Sequence, residues 1–152
     1  MALSPQFADS VQKVSVTFGF ANFDCDPEVI TAALGIIPDE VRRRGDQISV
    51  RSGKLFKVPF STWSISSRVA SKDVNDHFRE LLERLHGSVG RLEPRWGVPT
   101  FSVLYKAAHL YAGNGPFFEV DVVQGIAALG AELWQDIYSL GDIAPDAVTE
   151  TG

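Results

Sequence analysis

Three histidines and a single cysteine are the side chains best suited to metal binding, proton transfer or nucleophilic attack. Their spacing supports none of these. His77 and His86 lie on one expected helix, about 13 Å apart along its axis, too far to share an ion. His109 falls in a separate segment, and no HxxxH or HExxH spacing occurs. Cys25 sits in "DCDPE", between the carboxylates of Asp24 and Asp26, a poor setting for a nucleophilic thiolate. The positive end of the helix that follows acts in the opposite direction, but a filler thiol is the simpler reading.

Among the acids, Asp24, Asp26 and Glu28 are close in sequence but lack the ligand run of a calcium loop. Helix N-capping accounts for Asp26 and Asp121 more economically. No GxGxxG, P-loop or GxSxG motif occurs, and "RRRGDQ" lacks the glycine density that wraps phosphate. Arg42, Arg43 and Arg44 could meet an anion, but a solvated turn is the better explanation of them. No catalytic residue, metal ligand or cofactor is therefore expected.

The closing segment "ELWQDIYS" is more suggestive. As a strand it sets Glu132, Trp134, Asp136 and Tyr138 on one face, with Leu133, Gln135 and Ile137 on the other. Aromatic rings interleaved with carboxylates suit a protein-binding face, the rings as anchors and the charges for steering. The competing reading has Trp134 and Tyr138 capping the far side of the core. A second candidate is a cleft near Arg44, Asp46 and Trp63.

These residues need elements to hold them. "KVSVTFGFANF" alternates, with Val14, Val16, Phe18 and Phe20 on one side and Ser15, Thr17, Gly19 and Ala21 on the other, which predicts a half-buried strand. "DPEVITAALG" predicts a short helix capped by Asp26, opened by Pro27 and stopped by Gly35. "IPDEVRRRGDQ" reads as a polar connection. "QISVR" and "KLFKVPFSTWSISS" read as a hairpin turning at Ser52-Gly53. Parity changes along the second strand, from Phe56, Val58 and Phe60 to Trp63 and Ile65. A bulge between Pro59 and Thr62 would return Trp63 to the core face and leave Ser64 and Ser66 outside. Val74, Phe78, Leu81, Leu82, Leu85, Val89 and Leu92 predict one long helix ending at Pro94 or Gly97, with Arg79–Glu83 and Glu80–Arg84 pairs on its outer face. "PTFSVLYKAAHLYAG" predicts a strand, "FFEV" another after an "NGP" turn, "DVVQGIAALG" a helix, and "AELWQDIYSL" the last strand. The two short helices share an opening Asp and a closing Ala-Ala-Leu-Gly, a similarity that capped helices on a sheet explain without requiring duplication.

The order β-α-β-β-α-β-β-α-β predicts an α+β fold, a mostly antiparallel sheet with helices packed on one face. The 152 residues suit a single domain over 1–152, its ordered core at about 12–140 and a mobile tail at 141–152. Net charge is −5, distributed as −3 over residues 1–50, +4 over 51–100 and −6 over 101–152. The one basic block is modest, so nucleic acid is not the expected partner. The acidic final third suits a cationic one. No apolar run approaches the roughly 20 residues of a membrane span. The lone cysteine and the absence of a signal-like start lead to the expectation of a cytoplasmic protein.

Taken in order, these signals carry a resemblance. The first strand, "D-P-E-x-I-x-x-x-L-G" (Asp26, Pro27, Leu34, Gly35), then Pro38, "R-x-G-D" (Gly45, Asp46), the "W-S-I-S-S" strand (Trp63, Ser64), a long helix and the closing "L-G-x-x-L-x-x-D-I-Y" (Leu129, Gly130, Asp136, Ile137, Tyr138) together resemble the bacterial DUF4279 family. The likeness covers about residues 12 to 140 and brings no catalytic residues with it. Small bacterial families of this type often supply immunity proteins to toxin systems. The resemblance thus implies a non-enzymatic protein-binding domain, an immunity protein neutralising a cationic toxin. The alternative is a small-molecule-binding or enzymatic domain built on the Arg44, Asp46 and Trp63 cleft.

Overall fold

A computed structural model describes residues 11–108 and 115–139. The proposed tail at 141–152 and His109 lie outside the described residues. Strand β1 (Val11–Ala21) runs through the middle of a five-stranded sheet of order β2-β5-β1-β6-β7. The other members are β2 (Glu40–Arg42), β5 (Thr62–Ser66), β6 (Thr100–Ala107) and β7 (Glu132–Ser139), while β3 (Gln47–Ser49) and β4 (Leu55–Lys57) form a separate two-stranded hairpin. All pairings in the main sheet are antiparallel except β6 with β7. Parallel neighbours need a crossover, and helix α3 (Val120–Ala128) supplies it. The fold is α+β, as its element order implies.

One face of the sheet is covered. The alternation of β1 buries Val16, Phe18 and Phe20, and Trp63, Ile65, Phe101 and Val103 from its neighbours join them. Onto this layer pack α1 (Pro27–Leu34) through Ile30 and Leu34, α2 (Val74–Arg84) through Phe78 and Leu81, and α3 through Val122 and Ile126. Helix α1 forms as its sequence dictates. The Asp26 carboxylate accepts from the Glu28 amide at 2.9 Å, Pro27 opens the first turn, and Gly35 closes it at φ +68°.

Several expectations are corrected. "IPDEVRRRGDQ" is more than a connection, because Glu40–Arg42 is an edge strand. "FFEV" is no strand: Phe117 to Glu119 lead directly into α3, which starts at Val120. Asp121 lies inside the first turn of α3 and does not cap it. The parity change before Trp63 is not a bulge. It marks the passage of the chain from the hairpin to the main sheet, so Phe56 and Phe60 stay partly exposed while Trp63 is fully buried. The long helix stops at Arg84 and continues as a 3-10 segment over His86–Arg91 that leaves Val89 exposed. Gly87 and Gly90 weaken any helical continuation there. Glu80 and Arg84 do pair, at 3.4 Å, whereas Arg79 turns from Glu83 towards α3 and meets Asp121 at 3.0 Å and Glu119 at 3.2 Å.

Candidate functional site

The second face of the main sheet carries no helix among the described residues, and the strand registers show what lies on it. One row runs Glu40, Ser64, Gly19, Thr100, Glu132 across all five strands. The next runs Ser66, Thr17, Ser102, Trp134, and a third places Leu104 beside Asp136. Because residues two apart share a face, the inward alternation of Phe18, Trp63 and Phe101 obliges their small neighbours to face outward. Around Gly19 this face is thus paved with glycine and hydroxyl side chains, and larger groups stand at the edge strands and further along β6, at Leu104 and Lys106.

The result is a groove of about 570 Å³. Gly19 keeps its floor low: a Cβ there would overlap the Trp63 carbonyl oxygen and come within 2.9 Å of the Ser64 Cβ. Close backbone approach is a recurrent reason for glycine inside a strand. The Thr17 and Ser66 hydroxyls are 3.3 Å apart. On the rim, Trp134 is 64% exposed and its indole N–H donates to Glu132 at 3.4 Å, while Glu40 is paired with Arg42 at 3.1 Å. The charged residues lining the groove are Glu40, Glu132 and Asp136, and no cation lines it.

The structure therefore gathers Glu132, Trp134 and Asp136 at one rim. Tyr138 shares their strand face but lies beyond the groove, with the Lys106 ammonium 5.8 Å from its ring centre. Neither aromatic caps a core, since Tyr138 is 48% exposed and Trp134 more so. Arg44, Asp46 and Trp63 are not brought together. The Trp63 side chain lies in the core beneath α1, its indole donating to the Thr31 hydroxyl at 2.9 Å. Arg44 and Asp46 are exposed on the loop after β2, where Arg44 donates to Asn22 at 3.1 Å.

Chemically the groove offers hydrogen bonds and negative charge. Glu132 and Asp136, four residues apart on a strand, have backbones about 13 Å apart. Glu40 and Glu132 end one row about 19 Å apart, by the usual spacing between strands. The buried imidazole of His77 faces away from this site. It bonds the Ser67 hydroxyl through Nδ1 and donates from Nε2 to the Ser71 carbonyl at 2.7 Å, tying the segment after β5 to α2. His86 is exposed, and Cys25 is a free, half-buried thiol packed against the core. Among the described residues, no group of His, Cys, Asp and Glu is arranged to hold a metal ion, and no helix is long and apolar enough to cross a membrane.

The sequence, strand by strand, marks the outward face of β7 but not the floor beside it. The available signal was the repeated outward hydroxyl on three strands: Thr17 on β1, Thr62 and Ser64 on β5, Thr100 and Ser102 on β6. It acquires meaning only when these strands are known to be neighbours. No curated protein and no solved structure matches the chain. A family model described as "Domain of unknown function (DUF4279)" matches residues 12–140, a span that contains helices α1, α2 and α3 and every residue of the groove. The chain belongs to the DUF4279 family.

Proposed function

We propose that the protein is a non-enzymatic binding domain whose open sheet face receives a cationic protein, and that it serves as an immunity protein neutralising a basic toxin. The observation that carries this reading is Trp134, 64% exposed on the edge strand between Glu132 and Asp136, above a hydroxyl-lined groove with no lining cation. An exposed tryptophan flanked by carboxylates supplies a large anchor and a steering field at one place. The hydroxyl floor can accept backbone or side-chain donors from whatever the anchor holds.

The test compares three baits in one pull-down: the wild-type chain, Asp136→Lys and Trp134→Ala, each first shown to be folded by circular dichroism. The expected result is a basic protein retained by the wild type and lost from both variants. A partner held equally by all three would place the interface elsewhere. The groove volume also lies within the roughly 300–1,000 Å³ of small-ligand sites. A metabolite that raises the melting temperature, with no macromolecular partner recovered, would decide for that second reading.

A further inference from the structure

Strand β7 ends the main sheet. Its inner edge pairs with β6 without a register break, from Thr100 opposite Glu132 to Ala107 opposite Ser139. Among the described residues no strand flanks its outer edge. Backbone donors and acceptors along such an edge are a template for another strand, and proteins commonly block it with proline, lysine, a bulge or a cover. The segment "ELWQDIYS" contains no proline and no basic residue. The opposite edge differs, for β2 is only three residues long.

The deterrents that β7 does carry are Glu132 and Asp136, and their placement selects the occupant. If a second copy paired antiparallel about Trp134, Glu132 of each strand would stand opposite Asp136 of the other. Like charges directly opposed across a ladder are destabilising. A strand bearing Lys or Arg at those two positions turns the same repulsion into attraction. On that face the intervening residue would meet Trp134, and on the helix side the residue one step beyond the basic residue opposite Asp136 would cover Ile137, which is 43% exposed.

We propose that the partner contributes an extended segment of pattern basic-x-apolar-x-basic, which joins β7 as a sixth strand. This rests on the cationic-partner reading and adds to it the backbone pairing and the spacing. Alternate residues of a strand recur every 6.6 Å or so, so Glu132, Trp134 and Asp136 read three successive side chains on one face. Main-chain bonds supply affinity in this mode, and the alternate side chains supply specificity.

The experiment uses the full chain and three synthetic peptides as long as β7. The first repeats Lys-Thr-Val-Thr, so that basic and apolar residues alternate along one face, the second is the same sequence N-methylated at alternate residues facing β7, and the third replaces Lys by Glu. Binding is measured by titration calorimetry and by amide hydrogen exchange along β7. The Lys peptide is expected to bind and to slow exchange at the outward β7 amides. The N-methylated peptide keeps its charge but loses the donors, and should bind at least about tenfold more weakly. The Glu peptide should not bind. Equal binding of the first two peptides, or binding that leaves β7 exchange unchanged, would overturn the sixth-strand proposal while leaving the face available to a cationic partner. Failure of the Lys peptide to bind at all would also overturn it, and the pull-down would still decide the broader reading.

Discussion

Trp63 and Gly19 show two ways in which one residue can shape the site without meeting a ligand. The Trp63 ring is fully buried, 6.0 Å from the Phe20 ring, and its N–H is bonded to Thr31. Trp63→Ala therefore removes a large core side chain and leaves the Thr31 hydroxyl without its donor. The expected loss is about 3–5 kcal/mol, measured by denaturant unfolding. A variant that melts within a degree or two of the wild type would contradict the burial. Gly19 acts by having no side chain at all. Gly19→Ala would drive a methyl group into the Trp63 carbonyl and against Ser64, whose atoms belong to a paired strand and cannot swing aside. We expect a cost of about 1–3 kcal/mol, the usual range for overpacking, together with weaker partner binding because the floor is raised. Wild-type stability in Gly19→Ala would mean that β1 and β5 separate more easily than their register suggests.

At the scale of elements, helices α2 and α3 are tied by Arg79, which reaches Asp121 and Glu119 across the gap between them. The Arg79 guanidinium beside it holds the Asp121 carboxyl below the usual carboxylate range, and Asp121 in turn raises the pKa of Arg79. At the start of α1, the Glu28 amide, followed by Arg43, lowers Asp26 in the same way. A carboxyl whose pKa falls on folding contributes stability that is fully present above its unfolded value, about 3.9. That contribution is lost as pH falls through the lower folded value. Asp121→Asn should therefore melt earlier than the wild type at neutral pH, and the two curves should converge in acid once Asp121 is protonated. Melting temperatures measured across that range check it. A gap independent of pH would show that shape or hydrogen bonding, and not charge, holds the two helices together. Because this ion pair is exposed, the effect should be small.

Among the described residues, the exposed β3–β4 hairpin is basic and strand β7 is acidic. The β3–β4 hairpin follows β2 at one side of the sheet, and its Arg51, Lys54 and Lys57 are exposed. At the opposite edge β7 presents Glu132 and Asp136. Such an arrangement orients an approaching cation towards the β7 side, and orientation acts first on the rate of encounter. Asp136→Lys and Glu132→Lys are expected to slow association with a cationic partner and to flatten its dependence on salt. Trp134→Ala should mainly speed dissociation, as loss of an anchor commonly costs 2 kcal/mol or more. Stopped-flow or surface-binding kinetics separate the two effects. Charge reversals that altered only dissociation would argue against steering.

Much of this protein was legible along the chain because the responsible forces are local. Alternation predicted β1, capping chemistry predicted α1, and the outward face of β7 followed from its period of two. The class, α+β, followed from their order. Other features depended on contacts between segments far apart in sequence. Arg79 chose Asp121 over Glu83 because α3 packs beside α2, which no spacing within α2 reveals. Trp63 entered the core because the chain changes sheets before β5, where parity alone suggested a bulge. The groove exists because hydroxyls from β1, β5 and β6, each unremarkable on its own strand, become adjacent once the strand order is fixed. Local periodicity determines which way a side chain points, but only the burial of one face against three helices decides which strands stand side by side, and therefore which outward residues share the opposite face.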